Sequence, residues 1–206
     1  MKNIEQLKGN FIVIDGPDGA GKSTQAQMLK DYFCSCGLET ELVRDPGGTA
    51  IGEQIRAILL DNANAAMSVR CETLLYMASR AQLYHEIISP ALTAGKCVLS
   101  DRWVSSTYAY QAIAGCDGAE LVLSLADASL ERAWPDRTII LDLPAEIGLE
   151  RVGRHRDRME NKPFAFHKAV RQAYLDLAGM RDEFIAIDAS GTVEQIHQKI
   201  KDILGV

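Results

Sequence analysis

The sequence predicts an α/β fold in which a five-stranded parallel sheet carries helices on both faces. Five short runs of apolar and β-branched residues recur along the chain, and helical patterns separate them. Runs that are apolar throughout are typical of strands buried on both faces, the usual environment of a parallel sheet. A glycine-rich loop follows the first run, at a strand-to-helix junction. Ligands of such folds bind at the carboxyl ends of the strands, so the residues after each strand are candidate site residues.

Each predicted element follows from a local pattern. The strands are compact apolar runs at residues 11–14, 40–43, 97–99, 138–141 and 184–187. The helices have apolar residues at helical spacing; one ends before residue 37, and the others cover residues 51–60, about 71–88 and about 193–204. The sequence DPGG, residues 45–48, predicts a turn after the second strand.

Length and composition favour one domain over residues 1–206, since 47% of the 206 residues are hydrophobic. The net charge of −6 argues against a broad surface for nucleic acid. The amino-terminal residues lack a signal-peptide pattern, and no stretch approaches the about 20 apolar residues of a membrane span. The five cysteines lack metal-ligand spacing, which favours free thiols in a reducing compartment. We therefore expect a cytoplasmic protein without a membrane or nucleic-acid partner.

The glycine loop matches G-x-x-x-x-G-K-[ST], a phosphate-binding motif. Its glycines allow backbone N–H groups to surround an anion, and the following helix presents its positive dipole end. Lys22 supplies a charge to the β- and γ-phosphates, and the Ser23 hydroxyl is a Mg²⁺ ligand. A glycine-rich turn that only connects strand and helix is the alternative. The predicted ATP-binding residues of the loop are Gly16, Pro17, Asp18, Gly19, Ala20, Gly21, Lys22, Ser23 and Thr24.

Two classes of nucleoside triphosphate-binding protein remain, a GTPase-like switch and a phosphotransferase. A switch requires a guanine-reading N-K-x-D motif, and the Asn-Lys pair of this chain lacks the aspartate. The third strand instead ends in Asp101 and Arg102, a carboxylate suited to Mg²⁺ and an arginine suited to a phosphate. Arg44 ends the second strand, and two such arginines fit a dianionic acceptor. A structural salt bridge is the alternative role for Arg102.

Three further motifs resemble the thymidylate kinase family. They are RDPGGT at residues 44–49, DRWVSSTYAYQ at residues 101–111, and Arg158-x-Glu160 ahead of Phe166 and Tyr174. Their order and spacing agree with the family as well as their composition. The resemblance implies a P-loop kinase fold, a homodimer, and phosphorylation of dTMP to dTDP with Mg²⁺ and ATP. Another nucleoside monophosphate kinase, of the UMP or dCMP type, is the alternative, and a nucleotide-binding switch is a more distant one.

The resemblance also implies roles for residues around the phosphate and sugar of the acceptor. Arg44 and Arg102 are the ligands of the acceptor phosphate, and Asp18 lies near the sugar and this phosphate. Tyr110 guards the sugar, where a ribose 2′-hydroxyl would not fit. On the donor side, Asp101 joins Ser23 at the metal, and Arg151 contacts adenine.

Around the acceptor base, the resemblance implies that Arg80 donates to O4 of thymine and that Thr107 reaches the base edge. Tyr76 stands where the family usually has phenylalanine, and a tyrosine can still stack on a pyrimidine. Ser106 and Gln111 complete the predicted substrate-binding residues.

Residues 151–158, RVGRHRDR, concentrate positive charge in an acidic chain. They follow the fourth strand and a short helix, where P-loop kinases carry a mobile lid, which we place at about residues 151–163. Some family members have an arginine in the loop at the position of Gly19, whereas bacterial-type members supply it from the lid. A salt-bridged exposed helix is the alternative. The four histidines suggest no general base. The predicted catalytic residues are Lys22, Asp18, Arg102, Arg154, Arg156 and Arg158.

Overall fold

A computed structural model describes residues 4–153 and 156–206 of the chain. Five parallel strands form one sheet in the order β2-β3-β1-β4-β5. The strands are β1 (Phe11–Asp15), β2 (Thr40–Arg44), β3 (Cys97–Asp101), β4 (Arg137–Asp142) and β5 (Phe184–Asp188). The predicted α/β fold with a five-stranded parallel sheet is therefore confirmed, and the predicted strands differ from the observed ones only at their ends.

Helices connect the strands and cover both faces of the sheet. They are α1 (Lys22–Ser35), α2 (Ala50–Leu60), α3 (Val69–Leu83), α4 (Ser89–Thr93), α5 (Val104–Thr107), α6 (Ala119–Ser129), α7 (Ala145–Val152), α8 (Phe164–Met180) and α9 (Val193–Leu204). π-helical segments at Tyr84–Ile88 and Tyr108–Ala114 continue α3 and α5, and short 3₁₀ turns lie at Ile4–Leu7 and Asn62–Asn64. Within the two described ranges, no helix is both long enough and apolar enough to cross a membrane.

The central strand β1 connects the two halves of the core. Phe11 and Val13 belong to the hydrophobic cluster on one face of the sheet, and Ile12 and Ile14 belong to the cluster on the other. This division follows from the two-residue side-chain period of a strand. All four side chains are fully buried. The carboxyl end of β1, where the glycine loop begins, is therefore held firmly from both sides.

Every strand of the sheet ends in a charged residue, and the parallel arrangement brings these residues to one edge. They are Asp15, Arg44, Asp101, Asp142 and Asp188. Arg44 is paired in register with Asp101, and Asp101 with Ile14 of the central strand. The charged side chains of β1, β2 and β3 are thus neighbours at the edge where the glycine loop lies.

Candidate active site

A cavity of about 310 Å³ opens at this edge, between the glycine loop and α3. The predicted site residues in its wall are Asp18, Gly19, Lys22, Ser23, Arg44, Tyr76, Arg80, Asp101, Arg102, Ser106, Thr107, Tyr110 and Gln111. The other loop residues, Gly16, Pro17, Ala20, Gly21 and Thr24, lie at the junction of β1 and α1. Residues from separate motifs therefore converge on one cavity.

Arg102 takes an unusual backbone conformation immediately after β3. Its φ of 72° lies in the left-handed region, which few residues other than glycine adopt. The Arg102 guanidinium contacts Asp18 Oδ1, lies 3.8 Å from Asp15 Oδ1 and donates to Ser106 Oγ at 3.2 Å. The side chain is nevertheless 21% exposed and lines the cavity. Arg102 is thus salt-bridged, as the alternative predicts, and still accessible to a ligand.

Asp15 anchors the floor of the site, although the sequence analysis assigns it no role. Its carboxylate is fully buried and accepts hydrogen bonds from the hydroxyls of Ser105 at 2.5 Å, Ser106 at 2.8 Å and Tyr174 at 2.7 Å. The N–H of Gly16 donates to it as well, at 2.8 Å. These bonds fix the side chains that lie beneath Arg102. The sequence gives no signal for such a residue, because its hydrogen-bond partners are distant in the chain.

The charges of Lys22 and Asp18 depend on each other and on Arg102. Burial, and then the nearby charge of Arg102, lowers the pKa of Lys22 to about 8. Burial alone would raise the pKa of Asp18, but Arg102 and then Lys22 lower it below its usual value. Lys22 Nζ donates to the carbonyl oxygen of Pro17 at 2.7 Å. The loop therefore contains an ionised carboxylate and a lysine that loses its proton easily while no anion is bound.

Two buried polar atoms beside the loop, Asp18 Oδ2 and Tyr110 Oη, make no hydrogen bond of ordinary geometry among the described residues, although the two side chains lie close enough to shift each other's pKa. Both residues line the cavity. Unpaired buried polar atoms are costly, so they indicate a place where a ligand supplies the missing hydrogen bonds.

Ser23 and Asp101 meet at the start of α1. Ser23 Oγ donates to Asp101 Oδ2 at 2.5 Å. A hydroxyl and a carboxylate are oxygen ligands of the kind Mg²⁺ prefers. In the part of the chain that the structure describes, no group of three or more His, Cys, Asp or Glu side chains forms a metal site by itself. This pair fits a Mg²⁺ that takes its remaining ligands from phosphate and water.

Arg80 lies fully buried at the opposite wall of the cavity. Its Nε and Nη2 donate to Asp45 Oδ2 at 2.8 and 2.5 Å, and Nη2 also donates to Thr107 Oγ1 at 3.1 Å. The guanidinium lies 5.4 Å from the ring centroid of Trp103. Within the described ranges, the one partner of Nη1 is the sulfur of Met77, at 3.3 Å, and a thioether is a weak acceptor. Asp45, to which the sequence analysis assigns no role, therefore orients Arg80 and leaves one strong donor for a ligand.

Arg44 and Arg56 are two further cations that line the cavity. Arg44 is half-exposed and pairs with Glu53 at 3.0 Å. Arg56 of α2 lines the cavity, donates to the carbonyl oxygen of Pro46 at 2.9 Å, and has a pKa lowered by burial and by Arg44. The sequence analysis missed Arg56, because an arginine on an amphipathic helix usually faces solvent. Its position shortly after the RDPGGT motif is the only sequence signal.

The lid residues differ widely in position. Arg151 Nη1 donates to the carbonyl oxygen of Gly19 at 3.3 Å, so it lies against the glycine loop. Arg156 donates to the carbonyl oxygens of Gly153 and Leu149, both at 3.0 Å. Arg158 is buried instead and pairs with Glu72 of α3 at 2.5 Å. Arg154 lies outside the described residues. The structure thus brings Arg151 to the loop and keeps Arg158 with a carboxylate.

The glycine loop packs against α7 without space for a side chain. A Cβ at Gly19 would overlap the carbonyl group of Gly148, and a Cβ at Gly148 would overlap the carbonyl oxygen of Asp18. Gly19 also has a φ of 76°, which disfavours other residues. An arginine at Gly19 therefore requires displacement of α7.

Comparisons with known proteins agree with the motifs. The sequence profile described as "Thymidylate kinase" matches residues 14–200. The thymidylate kinase of Thermosipho africanus is 42% identical over 195 residues, which cover 94% of this chain and 96% of that protein. The thymidylate kinase of Halothermothrix orenii is also 42% identical, over 94% of this chain and 95% of its own length.

A solved structure shows the same likeness in three dimensions. The crystal structure of thymidylate kinase from Ehrlichia chaffeensis superposes with a TM-score of 0.78 and 26% sequence identity, covering 96% of this chain and 98% of that one. The fold, the motifs and the full-length relatives agree, and the chain belongs to the thymidylate kinase family.

Proposed function

We propose that the protein transfers the γ-phosphoryl group of ATP to the 5′-phosphate of dTMP, forming dTDP and ADP. One observation carries this proposal: a phosphate-binding loop and an arginine whose Nη1 meets just a weak thioether acceptor among the described residues lie in the wall of the same cavity. The loop suits the donor nucleotide, and Arg80 suits a base with a carbonyl oxygen at its edge. A nucleotide-binding switch needs no second site of this kind.

The donor side consists of the glycine loop, Arg151 and the pair Ser23–Asp101. Loop N–H groups and Lys22 would bind the β- and γ-phosphates, and Arg151, which reaches the loop at Gly19, would contact the adenine side. Ser23 and Asp101 would hold Mg²⁺, whose chemistry is to neutralise charge on the phosphates.

Arg102 and Arg44 would bind the acceptor phosphate. We assign the same role to Arg56 because it also lines the cavity. A phosphate monoester has a second pKa of about 6, so it is ionised at neutral pH and needs no general base. Its oxygen attacks the γ-phosphorus, and the bond from that phosphorus to the bridging oxygen of ADP breaks. The protein groups align the two phosphates and compensate their charge.

Other residues of the cavity wall would bind the base and the sugar of the acceptor. Arg80 Nη1 would donate to O4 of thymine, and Tyr76 would stack on the base. Asp18 Oδ2 and Tyr110 Oη would bind the sugar, and their lack of a hydrogen bond of ordinary geometry among the described residues supports this role. Cytosine carries an amino group in place of O4, which leaves donors facing each other at a cost of about 1–3 kcal/mol.

We further propose a homodimer formed through α2 and α3. Ile51 and Ile58 of α2 are 52% and 46% exposed, and Leu74 of α3 is 49% exposed. Exposed apolar side chains on two helices that pack against each other favour an interface. Light scattering after gel filtration should give twice the chain mass, and Ile58→Glu should give the single mass. The single domain over residues 1–206 and the cytoplasmic location stay predictions.

A panel of acceptors with Mg²⁺ and ATP tests the activity. We expect the highest kcat/KM for dTMP and a value roughly five- to a hundredfold lower for dCMP. A higher value for dCMP or UMP would assign the protein to another nucleoside monophosphate kinase. ATP binding without transfer to any monophosphate would favour a switch.

A further inference from the structure

The buried carboxylate of Glu72 contacts two parts of the site at once. Glu72 lies on α3 and is 3% exposed. Its Oε1 accepts a hydrogen bond from Gln111 Nε2 at 2.6 Å, and its Oε2 pairs with Arg158 Nη1 at 2.5 Å. Gln111 lines the cavity, whereas Arg158 belongs to the lid. One carboxylate therefore joins the cavity wall to the lid.

Arg158 is held on several sides. Its Nε donates to the carbonyl oxygen of Leu59 at 2.8 Å, and its backbone N–H donates to that of Leu60 at 3.2 Å. These bonds tie it to the end of α2. The side chain is 4% exposed, and Nη2 is buried without a partner within the described ranges. A buried guanidinium requires a counter-charge, so its position depends on Glu72.

The residues next to Arg158 form part of the cavity. Asp157, Met159 and Glu160 all line it. Residues 157–162, which we call the lid turn, carry internal hydrogen bonds: Asp157 Oδ1 accepts from the N–H groups of Met159 at 2.8 Å and Glu160 at 2.9 Å. The lid turn is therefore a small ordered unit, and whatever holds Arg158 also sets how these residues close the cavity.

Glu72 also sets the orientation of Gln111. Carboxylate oxygens only accept hydrogen bonds, so the amide nitrogen of Gln111 must face Glu72, and the amide cannot turn without losing this bond. Gln111 is 1% exposed and lies one residue after Tyr110 in the π-helical segment. A single carboxyl group thus orders both the cavity wall and the lid turn.

We infer that Glu72 and Arg158 are positioning residues that hold the lid turn over the acceptor nucleotide, and that Arg158 does not bind the transferred phosphoryl group. The inference rests on the proposed function, since it assigns the acceptor to this cavity. Loss of either residue loosens the acceptor more than it slows the chemical step.

The first test separates acceptor binding from turnover in Arg158→Ala and Glu72→Gln. We expect the KM for dTMP to rise about ten- to a hundredfold, with kcat and the KM for ATP changed by less than about threefold. Arg158→Lys should recover part of the loss, because it keeps the charge. Arg70→Ala is the matched control, since Arg70 also lies on α3 and pairs with a carboxylate, Asp117, at 2.9 Å. It should leave all constants unchanged.

Two outcomes would overturn the inference. A fall of kcat of about a thousandfold at unchanged KM would place Arg158 on the transferred phosphoryl group. A lower melting temperature with unchanged constants would make the ion pair a packing element only. If Arg158→Ala does not fold, the double variant Glu72→Gln/Arg158→Gln, which removes both charges, replaces it.

A second readout does not depend on activity. Amide hydrogen exchange at residues 157–162 of the substrate-free protein should accelerate at least about tenfold in Glu72→Gln and stay unchanged in Arg70→Ala. Unchanged exchange in Glu72→Gln would overturn the inference. Failure of the parent protein to phosphorylate dTMP would overturn the proposed function alone. The exchange experiment would still show whether Glu72 holds the lid turn through Arg158.

Discussion

The arginines that line the cavity beneath the lid, Arg80 and Arg102, which we call floor arginines, differ from the lid arginines in what compensates their charge. Arg80 pairs with Asp45, and Arg102 contacts Asp18. In the lid, Arg156 donates only to main-chain carbonyl oxygens of α7 and the residue after it, as far as the described residues show. Main-chain carbonyl groups orient a guanidinium but cancel little of its charge.

The difference indicates two roles, orientation of the substrate by floor arginines and stabilisation of charge by lid arginines. A floor arginine paired with a carboxylate is fixed before substrate binds, and it offers directed hydrogen bonds with little net charge. A lid arginine without a carboxylate retains its charge for the phosphoryl group, whose negative charge spreads in the transition state. Arg156 is therefore the stronger candidate for that role than Arg158, which Glu72 already compensates.

The largest effect is expected at Lys22, a buried cation of the glycine loop whose hydrogen bond goes to a main-chain carbonyl oxygen, that of Pro17. Lys22→Met should lower kcat at least about a hundredfold, because a charge that serves the phosphates is lost. The melting temperature should stay equal or rise, since burial disfavours the charged lysine in the free protein. Rapid-quench phosphoryl transfer and calorimetry measure the two. Near-normal transfer in the folded variant would contradict the assignment of the loop.

The next effect concerns the lid side of the comparison. Arg156→Ala should lower kcat about ten- to a hundredfold with little change in the KM for dTMP, since the interaction forms mainly in the transition state. Arg156→Lys should rescue poorly, because lysine lacks the planar fork. Single-turnover transfer measures this step. If Arg156→Ala transfers phosphate as fast as the parent protein in a single turnover, Arg156 does not stabilise the transferred phosphoryl group.

A structural test addresses the contact between the two regions. Gly148→Ala should lower the free energy of unfolding by about 1–3 kcal/mol, because its Cβ would overlap the carbonyl oxygen of Asp18. Gly179→Ala is the control, since nothing lies near its Cβ in α8 and it should stabilise by about 0.5–1 kcal/mol. Urea unfolding compares them. Equal stability of the two variants would mean that α7 is free to move from the loop.

The smallest effect is a pH dependence. The free protein has a Lys22 pKa of about 8, lowered from 10.5 by burial and Arg102, so the lysine loses its charge as the pH rises through 8. The kcat/KM for ATP should then decline above about pH 8, whereas kcat at saturating ATP should hold to higher pH. The free energy of unfolding should instead rise between about pH 8 and pH 10.5, because in this range the unfolded lysine binds more protons than the folded one. A flat kcat/KM profile to pH 10 would contradict the pKa shift.

The sequence predicts the sheet well and the partners of side chains poorly. Apolar runs and the glycine loop locate every strand, because a strand buried on both faces leaves a continuous apolar run in the sequence. The sequence analysis assigns no helix to α6 or α8, and the π-helical segments have no recognised signal. Glu72, Asp45 and Asp15 could not be predicted as partners, because each meets an arginine or hydroxyl from a distant part of the chain. Motifs identify which arginines matter, but pairing across the fold decides what each one does.

The contact between Gly19 and Gly148 also constrains how this protein can change over generations. A sequence with an arginine at position 19 is one substitution away at the genetic level, yet the backbone of α7 occupies the space that its side chain needs. A lineage that moves an arginine to this position must therefore first open the contact between the loop and α7. The close contact between these two glycines thus separates a site with arginines in the lid from a site with an arginine in the loop.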